Sequence, residues 1–386
     1  MSLAGRTALV TGATGFIGGR LVERLILQHG VKVRALVRNL AGAGRLARFP
    51  LTVLHGDVTN PSDLEAAIQG CDVVFHCAYG TSGSQKYRAW VNTEGTRRLL
   101  AAARKAGVRR IVHLSTLMVY GQTADGDLDE TAPRRRFGNP YSDSKLAAER
   151  SALSSGLPVA VLQPTAVYGP YGGVWTESVL RALKTGRQIL VDGGGGLANA
   201  VYVDDLVSAM LLAAVEERAA GEAFLISGEE PVTWKELYGR FEHMLGGEPR
   251  TIAMAQAAAL AYWRQSQRQR PRALGEAFRL LKQERGVRER IERTREVLWL
   301  REMASSVLPE AWQRRIKRRL GSGGPPAAPD RALPIHPLSP EMIGFFRART
   351  RVRIDKAKRL LGYAPAFDFA SGMDLTEQWA RWANLL

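Results

Sequence analysis

Tyr141 and Lys145 stand four residues apart in Tyr141-Ser142-Asp143-Ser144-Lys145. On a helix that spacing puts both side chains on one face, so an ammonium can sit beside a phenol and favour its phenolate. A tyrosine tuned in this way serves as a general acid/base for an alcohol and ketone pair. The same pair also occurs as ordinary helix surface, so its meaning depends on its company. Upstream, the apolar run Ile111 to Leu114 ends in Ser115-Thr116-Leu117-Met118-Val119-Tyr120-Gly121, which brings hydroxyls to the end of a strand.

A second constellation opens the chain. Thr11-Gly12-Ala13-Thr14-Gly15-Phe16-Ile17-Gly18 follows an apolar run and leads into a helical period. Gly12 permits a tight turn, Gly15 lets backbone approach a pyrophosphate, and Gly18 lets helix pack closely on strand, while the helix N-terminus supplies N–H groups and a positive dipole end. These features point to a dinucleotide. Where an acid would bind the ribose 2′-hydroxyl, the chain has Val37 and then Arg38, with Arg34 nearby. The two arginines suit a 2′-phosphate, which favours NADP(H) and leaves NAD(H) as the second choice; the alternative is a pair of solvated strand-end charges. Asp57, in Gly56-Asp57-Val58, either accepts from an adenine amino group or caps a turn or helix.

The elements that must position these groups alternate. Thr7 to Thr11, Lys32 to Val37, Leu51 to Leu54, Asp72 to Cys77, Arg110 to Leu114 and Val159 to Leu162 read as strands. Helical periods such as Leu21 to Leu25, Leu64 to Ile68 and Asn92 to Ala106 lie between them. The pattern predicts an α/β fold, a doubly wound Rossmann-type parallel sheet with a smaller, mostly helical C-terminal substrate domain. Residues 1–170, rejoined by 200–227, are expected to bind the dinucleotide. Residues 171–199 and 228–386, including a basic helical insertion over about 251–340, are expected to bind substrate.

The chain has 386 residues, 45% of them hydrophobic and 24% charged, an ordinary globular balance that excludes a disordered or collagen-like chain. Cys71 and Cys77 are too few for a disulfide framework, and neither they nor the six histidines have metal-ligand spacing, so no metal site is expected. No run reaches the roughly 18 apolar residues of a membrane span. Met1 to Val10 reads as a first strand rather than a secretory leader, and a cytoplasmic location is expected. The net charge of +17 is concentrated: residues 251–320 hold 17 Lys and Arg against 7 Asp and Glu. That stretch reads as solvated amphipathic helices, as a lid or oligomer element, or as a peripheral membrane contact through 311–320, where Trp312, Ile316 and Leu320 oppose an arginine cluster. No nucleic-acid-binding module accompanies the charge.

The two constellations resemble the extended short-chain dehydrogenase/reductase family, of the NAD(P)-dependent epimerase/dehydratase type. The resemblance extends to Val74-Phe75-His76-Cys77-Ala78, Val91-Asn92-Thr93-Glu94-Gly95-Thr96, Gln163-Pro164-Thr165-Ala166-Val167-Tyr168-Gly169-Pro170, Val201-Tyr202-Val203-Asp204-Asp205 and Leu361-Gly362-Tyr363-Ala364-Pro365. It implies Thr116, Tyr141 and Lys145 as catalytic residues. Thr116 would hydrogen-bond the substrate oxygen, Tyr141 would exchange the proton, and Lys145 would lower the phenol pKa and bind the ribose. It implies cofactor contacts from Gly12, Thr14, Gly15, Phe16, Ile17, Arg38, Asp57, Val58, Cys77, Ala78, Pro164, Thr165 and Val167, together with Tyr141 and Lys145. Substrate contacts fall on Tyr79, Met118, Tyr168 and Asn199. Asp204 and Asp205 are expected to serve the helix start rather than chemistry.

The expected activity is hydride transfer between a nicotinamide and a hydroxyl or keto carbon of a small substrate, such as a sugar or sugar-nucleotide-like compound. The alternatives are an NADPH-dependent ketone or hydroxysteroid-type reductase on an apolar substrate, and a non-catalytic NADP sensor. A homodimer is expected. Many nucleotide-sugar enzymes of this family carry an arginine for the diphosphate where this chain has Ala198, a position for which Arg347, Arg349, Arg351 or Arg353 could substitute.

Overall fold

The computed structural model describes residues 2–121, 125–281 and 333–386. Its centre is a seven-stranded, all-parallel sheet. In chain order its strands are β1 (Thr7–Thr11), β2 (Lys32–Val37), β3 (Thr52–His55), β4 (Val73–His76), β5 (Arg110–Leu114), β7 (Val159–Pro164) and β11 (Ala223–Ile226). Across the sheet they run β11-β7-β5-β4-β1-β2-β3. The chain winds outward from β1 in one direction and from β4 in the other, and in sheets of this kind such a reversal marks the crevice for a ligand beyond the carboxyl ends of those two strands.

A parallel sheet is covered on both faces, so successive residues of a strand enter different cores. Ala8 and Val10 of β1 join one apolar cluster with Leu21, Val22 and Leu25 of α1 (Phe16–Leu27) and with Leu206, Val207 and Met210 of α6 (Val203–Val215). Leu9, between them, joins the opposite cluster with Leu64 and Ile68 of α2 (Pro61–Ile68) and Leu99 and Ala103 of α3 (Gln85–Ala106). Helix α4 (Pro140–Leu153) packs beside α3.

Three smaller ladders carry the rest. β8 (Ala166–Tyr168) pairs with β10 (Ala200–Tyr202), and β6 (Gly126–Leu128) pairs with β14 (Thr350–Val352). β9 (Arg187–Val191) lies between β12 (Thr251–Met254) and β13 (Ile335–His336), parallel to both. Helices α5 (Ser178–Thr185) and α7 (Trp234–Leu245) flank this part, and α8 (Gln256–Leu281) follows β12. The chain closes with α9 (Pro340–Arg347), α10 (Asp355–Leu361) and α11 (Phe369–Trp382). The Tyr262 hydroxyl near the start of α8 donates to the Ile335 carbonyl at 3.2 Å, although the two residues are 73 positions apart. The basic stretch 311–320 and the Gly/Pro-rich stretch after it lie outside the described residues. Among the described residues, no helix is long and apolar enough to cross a membrane.

Candidate active site

The glycine loop is shaped by close approach. Gly12 has φ +72°, and a Cβ there would lie 2.8 Å from the Ala78 nitrogen and the Cys77 carbonyl carbon. A Cβ on Gly18 would collide with the Gly12 carbonyl. Helix α1 therefore starts directly on the loop at Gly15. Its first turn has no acid and no side-chain cap, so N–H groups there are left for an anion. A chain of hydrogen bonds fixes the facing strand end. The Ala78 N–H donates to Thr11 Oγ1 at 3.3 Å, and Thr11 Oγ1 meets His76 Nδ1 at 2.8 Å. His76 Nε2 meets Thr96 Oγ1 at 3.1 Å, and that hydroxyl donates to the Asn92 carbonyl at 2.7 Å. Because the Thr96 proton is committed, Nε2–H donates to Thr96 and Nδ1 accepts from Thr11. His76 is thus a neutral structural residue, held down to about 3 by burial, with the Lys145 charge adding to the effect.

The arginines of β2 separate. Arg34 donates to the carbonyls of Ala67 and Gln69 at the C-terminal end of α2, so it caps a helix and does not serve a 2′-phosphate. Among the described residues, Arg38 hydrogen-bonds only Ser82 Oγ, at 3.4 Å, on the exposed surface. Asp57 Oδ1 accepts from the Thr59 N–H at 2.8 Å and its hydroxyl at 2.7 Å, the turn alternative, which leaves the second carboxylate oxygen for another donor. Val58 packs against Gly95 of α3.

Thr116 and Tyr141 meet through two helix starts. Thr116 heads the short 3₁₀ turn Leu117–Tyr120, where its Oγ1 accepts from the Met118 N–H at 3.2 Å. Asn139 heads α4 and accepts from the Tyr141 and Ser142 N–H groups at 3.0 and 3.2 Å, with Pro140 at the first helical position. Tyr141 is 44% exposed, yet the protein surrounding its hydroxyl pushes the phenol up to about 12. The Thr116 hydroxyl opposes that shift and Tyr79 adds to it. The Tyr79 ring stands edge-on to Tyr141, with centroids 6.5 Å apart. Phe137, 46% exposed, lies across Gly121, and its loop is pinned by Asp143, which accepts from the Phe137 N–H at 2.9 Å and the Gly138 N–H at 3.1 Å.

Lys145 departs from the sequence expectation. Its Nζ donates to the Leu114 carbonyl, and burial lowers it to about 8, opposed by Cys77 and Glu149. It is not among the groups that shift the Tyr141 phenol, which is raised rather than lowered. The reason is geometric: one turn beyond Tyr141, the lysine is drawn to the end of β5.

Two expected substrate residues lie elsewhere. Tyr168 is buried against Tyr202 at 5.6 Å and Phe369 at 5.8 Å, and lines a separate cavity of about 220 Å³ with the C-terminal segment. Asn199 is also buried: its Nδ2 donates to the Thr350 carbonyl at 2.8 Å and its Oδ1 accepts from the Val352 N–H at 3.1 Å. Its amide therefore splices β14 into place. Thr165 likewise directs its hydroxyl to the Ile226 carbonyl at 3.2 Å, while its neighbours Pro164 and Val167 end β7 and enter β8. Asp204 binds Arg20 through two contacts of 2.5 and 2.8 Å, and Asp205 accepts from the Ala366 N–H at 2.7 Å, so both are structural. Of the arginines that could replace one at position 198, Arg353 is paired with Asp127 and Asp355, and Arg347 with Asp192. Among the described residues, no group of three or more His, Cys, Asp or Glu side chains is arranged to hold a metal.

Phe137 and Glu149 escaped the sequence reading. Nothing in a loop sequence announces the first. The second stands four residues after Lys145 on the same helix face, a signal that could have found it.

A model of the NAD dependent epimerase/dehydratase family matches residues 8–227. The chain is 31% identical over 276 residues to a 2-alkyl-3-oxoalkanoate reductase of Shewanella oneidensis, covering 66% of this chain and 70% of that one. It is 34% identical over 236 residues to a 4-hydroxy-2-methyl-3-oxo-4-farnesyl-3,4-dihydroquinoline-1-oxide ketoreductase of Stigmatella aurantiaca, covering 58% and 68%. Its fold is similar to that of a Bacillus cereus UDP-glucuronic acid 4-epimerase solved with UDP-glucuronic acid and NAD, with a TM-score of 0.65 at 18% identity, covering 98% of this chain and 99% of that one. With more than half of its length matched, the chain belongs to the NAD dependent epimerase/dehydratase family, a family of enzymes.

Proposed function

We propose that this enzyme is an NAD(P)-dependent ketoreductase that interconverts a ketone and an alcohol on an extended apolar small molecule. The observation that carries this reading is the exposed Tyr79 ring edge-on to Tyr141, with exposed Phe137 four residues before Tyr141 and lying across Gly121, and Met118 on the turn that Thr116 heads. Exposed rings clustered at a crevice are the kind of surface that takes apolar ligands. Ala198, at the diphosphate position of many nucleotide-sugar enzymes, supports the same choice, and so do the keto compounds named for the two sequence relatives.

The glycine loop fits a dinucleotide, since the absent Cβ atoms at Gly12 and Gly18 make the approach that a pyrophosphate on the α1 N-terminus needs. Gly12, Thr14, Gly15, Phe16 and Ile17 would hold it from one side, and Cys77, Ala78, Pro164, Thr165 and Val167 from the other. The bound nicotinamide supplies the hydride donor or acceptor. Arg38 favours NADP(H), because its guanidinium is exposed and only weakly engaged at the end of β2. Thr116 donates to the substrate oxygen and Tyr141 supplies the proton from Oη. Raised to about 12, that phenol still carries its proton at neutral pH, the state required for reduction. Lys145 holds positive charge at the base of the site. Substrate is bound by the crevice wall around Tyr79 and Met118 and by parts of 171–199 and 228–386.

The test follows NADPH and NADH oxidation with a long-chain 2-alkyl-3-oxoalkanoate, a 3-keto steroid and UDP-glucose. Stoichiometric oxidation with a ketone is expected. Conversion of UDP-glucose to its epimer without net oxidation would overturn the reading.

A further inference from the structure

Beneath the proposed catalytic groups lies a carboxylate that the chemistry described so far does not use. Glu149 has no solvent exposure, and it stands on the same face of α4 as Tyr141 and Lys145, at successive four-residue steps. Its Oε2 accepts from Ser115 Oγ at 2.6 Å. Its Oε1 accepts from Arg134 NH1 at 2.6 Å and from Gln163 Nε2 at 2.9 Å, and Gln163 in turn accepts from the Tyr120 hydroxyl at 2.9 Å. One side chain thus ties together the ends of β5 and β7, the loop before α4, and α4 itself.

These ties converge on the reacting groups. Leu114, Ser115 and Thr116 are consecutive: the first accepts from Lys145, the second donates to Glu149, and the third faces Tyr141. A buried carboxylate with three donors, one of them a guanidinium, is costly to assemble and leaves a fixed charge inside the molecule. Around Lys145 the other titratable groups are His76 and Cys77 at the end of β4, His113 on β5 and Tyr141. Burial keeps both histidines uncharged and the thiol and phenol protonated at neutral pH. Among the described residues, Glu149 is then the negative charge that acts on Lys145, with Arg134 partly offsetting it from its half-buried position.

We infer that Glu149 is a positioning residue for the reaction, a buried counter-charge that keeps the Lys145 ammonium in place while locking the Ser115-Thr116 strand end against α4. The inference rests on the catalytic roles proposed above for Tyr141 and Lys145. It predicts an effect on the proton inventory of the site that a purely structural brace would not have. Without the carboxylate, Lys145 loses its proton at lower pH. Without Arg134, the carboxylate acts on it more strongly.

The test measures kcat with NADPH and the ketone oxidised fastest in the substrate panel, from about pH 6 to about pH 10, in the wild type, E149Q and R134Q. The thermal midpoint and NADPH Kd are recorded for each. E149Q is expected to lower kcat about tenfold and to move the alkaline limb down by about one pH unit, with NADPH affinity held within about threefold. R134Q is expected to move that limb up. An alkaline limb that stays in place in both variants, whatever the change in thermal midpoint, would overturn the inference. Should E149Q fail to fold, R134Q, whose partly exposed side chain is more easily replaced, decides alone. Tyr141→Phe in the same assay separates the two possible failures: full activity there overturns the catalytic reading itself, whereas loss of activity with unmoved limbs overturns only the role of Glu149.

Discussion

The glycine loop and the surround of Tyr141, the proposed cofactor side and substrate side of the site, are built from different materials. The cofactor side is mostly backbone: Gly12, Gly15 and Gly18 draw strand end and helix start together until no Cβ would fit at two of the three. The substrate side is mostly side chain: Tyr79, Met118, Phe137 and Tyr141 come from three loops and a helix start. Backbone geometry is written locally, because a glycine has to stand where the chain must turn or approach. Side-chain geometry is decided by what the loops pack against.

That contrast can be broken most sharply at Tyr141. Tyr141→Phe keeps the ring and loses the proton, so kcat should fall about a thousandfold while NADPH affinity stays within about threefold, as read by stopped-flow rates and fluorescence titration. On the backbone side, Gly12→Ala forces a side chain into φ +72° and into contact with Ala78 and Cys77. NADPH binding should weaken about a hundredfold, or the chain should lose stability, with calorimetry telling the two apart. A third comparison uses two arginines of one strand. Arg38→Gln should reduce the preference for NADPH over NADH about tenfold, as measured by kcat/KM with each cofactor. Arg34→Gln should leave that ratio unchanged and lower stability by about 1 kcal/mol, because its hydrogen bonds cap α2. The smallest effect on activity belongs to Asn199→Ala. It should cost about 1–3 kcal/mol in chemical denaturation, through the unpaired backbone of β14, with KM unchanged.

The same contrast explains what could be read in advance. The glycine loop, the strand boundaries at Lys32–Val37 and Arg110–Leu114, and the four-residue step from Tyr141 to Lys145 are local patterns, and the structure holds them together. The resemblance points to Tyr168 and Asn199 as substrate contacts, but the structure engages both in packing and backbone bonds. Adjacency on a strand means opposite faces, and a polar amide beside a strand end is as useful for splicing backbone as for gripping a ligand. Arg34 failed for a related reason: spacing placed it on the right strand, but a helix C-terminus was nearer than any phosphate. The Lys145 expectation was half right. Its helix face was legible, but the carbonyl that claims its ammonium lies 31 residues away in sequence.

The contact between Tyr262 and Ile335 bears on how the β9 ladder responds to change. It joins residues 73 positions apart, beside a strand whose two neighbours, β12 and β13, come from either side of that interval. The described chain on either side of that interval is therefore held at one place, on the two edges of β9. A change that frees the Tyr262 hydroxyl therefore bears on both edges of one strand, although those edges come from stretches far apart in sequence.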